Sequence, residues 1–485
     1  RMCKMRIIVL IFVLFPLFLL GQTKRTLQIE DIFAMRRISQ TTLSPDNRYI
    51  AFTVTFFSME ENKGTSDIYI YDLQNRTIKN LTNTAYSENS PVWFRDSRNI
   101  AFVSMKEGTP QIYKMNIEKS EEIIQLTNLS TGVSGPVISY DGSKILFTSE
   151  VYPDCLTDDC NKKKEEEKAQ SKVKAKIIDD LMFRHWDSWR DEKRSHLFLL
   201  DLTTNKITDI TENSHHDVPP IALGGKLDYV FSPDGKEICF VTNTDDIVAI
   251  STNNDLWLST LDGKFKRKIT SNKGNDNQPV YSPDSKYIAY RQMSRPGFEA
   301  DRQTLMIYDR EKGNITNLTD ELDRSVDEVV WLPNSKEIIF SADNEGRKAI
   351  YRLNILSKQI KMIYNKHWNT DLNISSDGKF LIFNQSNVTR PTEIFKMDLT
   401  TKKVEQLTHL NDDILAQIEM MPLEEFYSKG ADDVMVHSFM IKPPFFDPNK
   451  KYPMVFLVHG GPQGAWEDLW HYRWNPELYA SRGYV

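Results

Sequence analysis

The segment Phe231-SPDGKEIC-Phe240 decides how this chain is read, because its pattern occurs seven times in the 485 residues. The other copies are Leu43-SPDNRYIA-Phe52, Trp93-FRDSRNIA-Phe102, Ile138-SYDGSKIL-Phe147, Tyr281-SPDSKYIA-Tyr290, Trp331-LPNSKEII-Phe340 and Ile374-SSDGKFLI-Phe383. A second pattern follows each one, an alternating apolar run that mostly ends in Leu-Thr or Ile-Thr. Its copies begin at Asp67, Gln111, His196, Asp255, Thr304, Ala349 and Glu393, in strict alternation with the first set.

Pro-Asp-Gly and its variants favour a tight turn between two strands. The apolar residues on either side alternate at period two, so each strand has an inner face. Each repeat then supplies about four short strands, a sheet that cannot bury both faces alone. Radial packing of the repeats solves that problem, and register-matched copies exclude an unrelated pair of sandwiches. The expected fold is mainly β: a seven-bladed β-propeller over residues 28–410.

The copies start 43 to 50 residues apart, except between Ile138 and Phe231, where the gap is 93. The excess is an insertion at about residues 150–195. It opens with Cys155 and Cys160, passes through the charge run Lys162–Lys168, and ends in Leu181-MFRHWDSWR-Asp191. The charge run reads as a solvated helix face or loop. Trp186 and Trp189 read either as caps on the propeller edge or, with the charges around them, as part of a loop projecting over a substrate cavity. His215-His216-Asp217 reads as a polar turn, since adjacent histidines on an extended chain point apart. The recurrent Asn-Leu-Thr triplets belong to strand ends.

After the seventh copy the pattern changes. Val434–Ile441 alternates as a strand, 442–451 reads as a loop, and Tyr452-PMVFL-Val458 reads as a strand buried on both faces of an α/β sheet. His459-Gly460-Gly461-Pro462 follows. Asn475 is a good N-cap for a short helix, with Pro476 in its first turn and Gly483 at its exit. Strand, His-Gly-Gly, helix, strand is the opening of an α/β-hydrolase domain, expected here over residues 411–485. Its chemistry is oxyanion stabilisation. Glycines let amide N–H groups point into the space above the strand end, and loss of one such donor costs about 3–4 kcal/mol in a transition state. Pro462 has no N–H, so Gly461 is the expected donor, with Gly460 enabling the turn.

The repeat resembles the propeller repeats of TolB-type proteins. With His-Gly-Gly-Pro behind it, the chain from about Gln28 to Val485 resembles the prolyl oligopeptidase family of serine peptidases. The Arg184-HWDSWR-Asp191 insertion and the Phe446-DPNKKY-Pro453 run are similar to the dipeptidyl peptidase 5 and acylaminoacyl-peptidase branch. The resemblance implies a propeller that gates a hydrolase site, short peptides as substrates, and a Ser-Asp-His triad with its Ser in Gly-x-Ser-x-Gly. That motif is absent from these residues. The triad is therefore expected beyond Val485, and this chain alone is expected to be inactive. A dipeptidyl peptidase also needs carboxylates for the substrate's ammonium; Asp179, Asp180, Asp187 and Asp191 are candidates, and Trp186 and Trp189 are candidate cavity walls.

Composition fits this reading. Net charge is −6, with 61 basic and 67 acidic residues, which argues against nucleic acid or an anionic membrane surface as partner. Basic Lys4 and Arg6 before the apolar run Ile7–Leu20 suit a signal peptide over residues 1–21 better than a membrane span, which needs roughly 20 apolar residues. Export to a bacterial periplasm is expected, with no membrane association after cleavage. In that setting Cys155 and Cys160 are expected to form a small disulfide, and Cys239 to be a buried thiol. No metal or organic cofactor is implied. The alternative is a non-catalytic propeller that serves as a binding or scaffold module.

Overall fold

A computed structural model describes residues 23–225, 228–461 and 464–485; the expected signal segment and Pro462 lie outside the described residues. Five four-stranded antiparallel meanders, at residues 37–80, 88–125, 134–209, 229–268 and 276–317, are followed by an eight-stranded sheet in which two further meanders, 326–364 and 368–406, are joined by one parallel bridge between Lys348 and Trp368. The first strand of each meander packs on the first strand of the next, and that of the last packs on that of the first, so the sheets close a ring.

The repeat residues account for the meanders. The Ser of Ser-Pro-Asp is buried at the tight turn and accepts the amide N–H five residues on: Tyr49 to Ser44 (2.8 Å), Tyr287 to Ser282 (2.9 Å) and Phe380 to Ser375 (3.0 Å). The fourth turn position has positive φ, +68° at Gly235 and Gly378 and +63° at Asn47, which favours Gly or Asn, and Ser97, Ser285 and Ser335 hold it at +55°, +62° and +54°. The Thr of Leu-Thr accepts a third-strand amide just past the end of the outer ladder, as Thr270 does from Leu256 (3.0 Å) and Thr408 from Ile394 (2.8 Å). It thereby pairs a buried donor that a short fourth strand leaves over.

The core lies between neighbouring sheets. One cluster joins Ile68 and Ile70 of the first meander to Phe102 and Met115 of the second, and another joins Phe52 and Val54 to Ile382 and Ile394 of the seventh. Among the described residues no strand is shared across that last seam. Asn373 Nδ2 donates to Thr41 O (3.0 Å), Ser376 N to Asn47 Oδ1 (2.8 Å) and Arg36 N to Asn411 Oδ1 (2.8 Å).

In an antiparallel meander the tight turns before the second strand lie at one end, and the turns between second and third strands at the other. The insertion leaves the third meander at the latter end. It holds a helix at Asp158–Gln170 that is charged along most of its length, and a two-stranded hairpin, Arg184–His185 with Ser188–Trp189. Cys155 and Cys160 are disulfide-bonded just before and within the start of that helix, and Cys239 is a buried free thiol.

Residues 411–485 pack on the same end. A hairpin pairs Glu424–Lys429 with Met435–Met440, and a short helix, Pro476–Ala480, is capped by Asn475 Oδ1 accepting Glu477 N (2.9 Å). One expectation is corrected. Tyr452–Val458 is not a buried strand: Met454, Phe456 and Val458 are 72%, 80% and 74% exposed. Burial on two faces needs flanking strands and covering helices, and among the described residues only Val485 makes backbone hydrogen bonds to this segment. Val455 N donates to Val485 O (2.9 Å) and Val485 N to Pro453 O (3.0 Å), the hydrogen-bond pair of one parallel rung.

Candidate active site

His459, Gly460 and Gly461 stand exposed at the end of that extended segment. Gly461 has φ +122°, a conformation closed to other residues, and Gly460 has open space where a Cβ would point. Among the described residues the only hydrogen bond reaching this loop joins His459 Nδ1 and Gly460 O (2.9 Å). Its amides are thus free to point at a ligand, as oxyanion donors require.

A cavity of about 460 Å³ lies on the same end of the ring, between the insertion, the link 215–222 and the turn 243–254. Asp179 and Asp180 line it, together with Asp217, Asp245 and Asp246. The remaining candidates do not. Trp186 sits at the hairpin tip with φ +51° and is 84% exposed; Trp189 stacks on Phe183 with ring centroids 6.1 Å apart. Asp187 is exposed, and Asp191 accepts Lys168 Nζ (3.0 Å) and Lys193 N (2.9 Å), which ties the insertion together. Eight residues dense in Trp and charge suggested a contact surface, but the two-residue strands of this hairpin turn both indoles outward.

Sequence reasoning missed the groups that build the cavity. Arg190 forms an ion pair with Asp217, whose other oxygen accepts Ser195 N (2.9 Å); both side chains are largely buried. This pair pins the insertion to the link before the fourth meander. Asn254, 1% exposed, donates to Ala222 O (2.9 Å) and Asn275 Oδ1 (2.7 Å), while its Oδ1 has no partner among the described residues. His215 and His216 also line the cavity, in the polar turn expected of them. Among the described residues no three metal-ligating side chains converge.

Nearer the ring axis, Asp327 accepts Arg291 Nη1 (3.1 Å) and pairs with Lys348. Burial pushes the Glu328 carboxyl up to about 7, with Asp371 adding to the effect, and burial pushes Asp228 up to about 6.

A ring of four-stranded meanders bearing these loops on one end defines a β-propeller protein. Residues 25–171 match the TolB beta propeller domain family, and residues 276–460 match the prolyl oligopeptidase N-terminal beta-propeller domain. The chain belongs to the prolyl oligopeptidase family. It is 30% identical over 472 residues to dipeptidyl-peptidase 5 of Porphyromonas gingivalis, covering 94% of this chain and 66% of that protein. To dipeptidyl-peptidase 5 of Aspergillus fumigatus it is 27% identical over 504 residues, covering 96% and 68%. Among solved structures, the acylaminoacyl peptidase of Pyrococcus horikoshii shares the fold with a TM-score of 0.73 at 18% identity, covering 95% of this chain and 65% of that one. The chain thus spans about 66% of the length of the Porphyromonas gingivalis relative.

Proposed function

We propose that this chain is the seven-bladed propeller (residues 28–410) and the opening part of the α/β-hydrolase domain (411–485) of an exported serine peptidase. The nucleophilic Ser, the Asp and the His of that enzyme lie beyond Val485, and the 485 residues by themselves are inert toward peptides. The reading rests chiefly on Gly461. Its φ of +122° ends an extended segment that pairs in parallel with Val485, on the propeller end that carries the polar cavity. In the complete enzyme the attack of Ser on the scissile carbonyl moves charge onto the carbonyl oxygen, and the Gly461 N–H helps hold it.

The propeller gates entry, which limits substrates to short peptides. In the cavity beneath the insertion, Asp179 and Asp180 take the substrate's free ammonium. An unblocked amino terminus is then a requirement, and dipeptides are the expected products. A signal peptide over residues 1–21 directs the protein to the periplasm. The relatives named dipeptidyl-peptidase 5 support this reading over acylaminoacyl release.

The test is made on the product of the reading frame continued past Val485. It is expected to cleave dipeptidyl methylcoumarylamides with free amino termini and to lose about 10²-fold or more in kcat/KM on N-acetylated ones, since a site built for a charged group is left unpaired by its absence. Asp179→Asn combined with Asp180→Asn should raise KM about tenfold for the free substrates only. Equal cleavage of free and acetylated substrates contradicts the dipeptidyl assignment.

A further inference from the structure

We propose that Asp468 is a positioning residue: it fastens the loop bearing Gly461 to the propeller, so that the sixth and seventh blades set where the oxyanion donor stands. The inference builds on the role given to Gly461 above.

Among the described residues the loop's one hydrogen bond is internal. Its place must come from its two arms. The entering arm is held by the rung between Val485 and residues 453–455. The leaving arm is short. Gly464 folds back on the loop, where a Cβ would lie 3.4 Å from Gly460 O and 3.9 Å from His459 Nδ1. Asp468 comes four residues later.

Asp468 is 6% exposed and is bound at three points, each in a different loop of the propeller. Its N–H donates to Gly346 O (2.7 Å) in the turn of the sixth meander. Oδ1 accepts Val388 N (3.2 Å) in the turn of the seventh. Oδ2 lies 2.6 Å from His367 Nδ1 in the link between them. Such a carboxylate fixes the backbone on both sides of it, and charge-assisted bonds are the strong kind.

The turn that receives it is itself wedged in place. Gly346 has φ +73°, and a Cβ there would come within 2.4 Å of the Phe439 ring and 3.6 Å of Trp466 O. The blade-six turn thus holds the leaving arm at Asp468, and Gly464 brings that arm back against the loop.

Hydrogen exchange of the 485-residue chain tests the tether, read on peptides that contain the hydrogen-bonded amides of Val388, Asp468 and Leu469. Asp468→Ala and His367→Gln should each speed exchange there about tenfold, as loss of a buried charged hydrogen bond does locally. Asp468→Asn, which keeps an acceptor for Val388 N, should lie between them and the parent. Glu425→Ala removes the ion pair with Arg347 in the same junction and should leave those peptides within about twofold. Unchanged exchange in both Asp468→Ala and His367→Gln overturns the proposal, as does an equal rise across the blades. In the continued product, Asp468→Asn should lower kcat at constant KM; an unchanged kcat with faster exchange overturns the coupling to the donor. A continued product with no peptidase activity would remove the function proposed above but not the tether.

Discussion

Glu477 is the residue with the largest consequence for pH. It is fully buried in the Pro476–Ala480 helix, and neither carboxylate oxygen has a hydrogen-bond partner among the described residues. Burial pushes its carboxyl from the ordinary 4.5 up to about 8. Below pH 4.5 the group is protonated in both states and costs nothing. Between about 4.5 and 8 the unfolded chain releases a proton that the folded chain keeps, so stability falls as pH rises through that window, by a few kcal/mol in all. Glu477→Gln should flatten this slope, and urea unfolding at pH 5.5 and 8.5 reads it: the parent loses more stability between the two than the variant. Nothing in the sequence marks Glu477, because burial is a property of what surrounds a residue. Asp179 and Asp180 were within reach of sequence reasoning since the insertion is visible as a length excess. Asn254 was not, being one Asn among several in a polar turn.

At the scale of elements, the repeat was legible and the pairing beyond it was not. Turn chemistry and period-two alternation are local, so Ser44, Asn47 and Thr408 announce their roles within a few residues. The Thr role makes a prediction. Thr408 Oγ1 accepts Ile394 N and donates to Glu393 Oε2 (2.5 Å) inside the seventh meander. Thr408→Val keeps the shape and strands both groups, and should cost about 1–3 kcal/mol by urea denaturation. Tyr452–Val458 failed for the opposite reason: its apolar run is local, but burial depends on strands elsewhere. The insertion gives a second prediction. Arg190→Ala breaks the ion pair with Asp217 and leaves that carboxylate buried. Trypsin should then cut at Lys172, Lys174 or Lys176 faster than in the parent, while the melting temperature of the ring moves by no more than about 2 °C. Equal cutting rates would show that the insertion is held elsewhere.

At the scale of the molecule, ring closure and site assembly share one logic. The first and last meanders meet through side chains and apolar packing without a shared strand, and the segment after residue 411 lies across loops near that seam and its neighbours. A propeller built this way brings the insertion, the cavity and the Gly461 loop to one end. The proposed gated hydrolase site rests on that shared end, together with the repeat order and a single His-Gly-Gly in the sequence. The contacts that hold the arrangement, such as His367 with Asp468 across 101 positions, carry no local signal. The central claim is that the nucleophile lies outside these residues, in a hydrolase domain this chain begins. Labelling with a fluorophosphonate probe, followed by mass spectrometry of the modified peptide, tests it most directly. The account predicts no labelling of the 485-residue chain and one labelled Ser, in Gly-x-Ser-x-Gly, in the product continued past Val485. Labelling within residues 1–485, or none in the continued product, would contradict it.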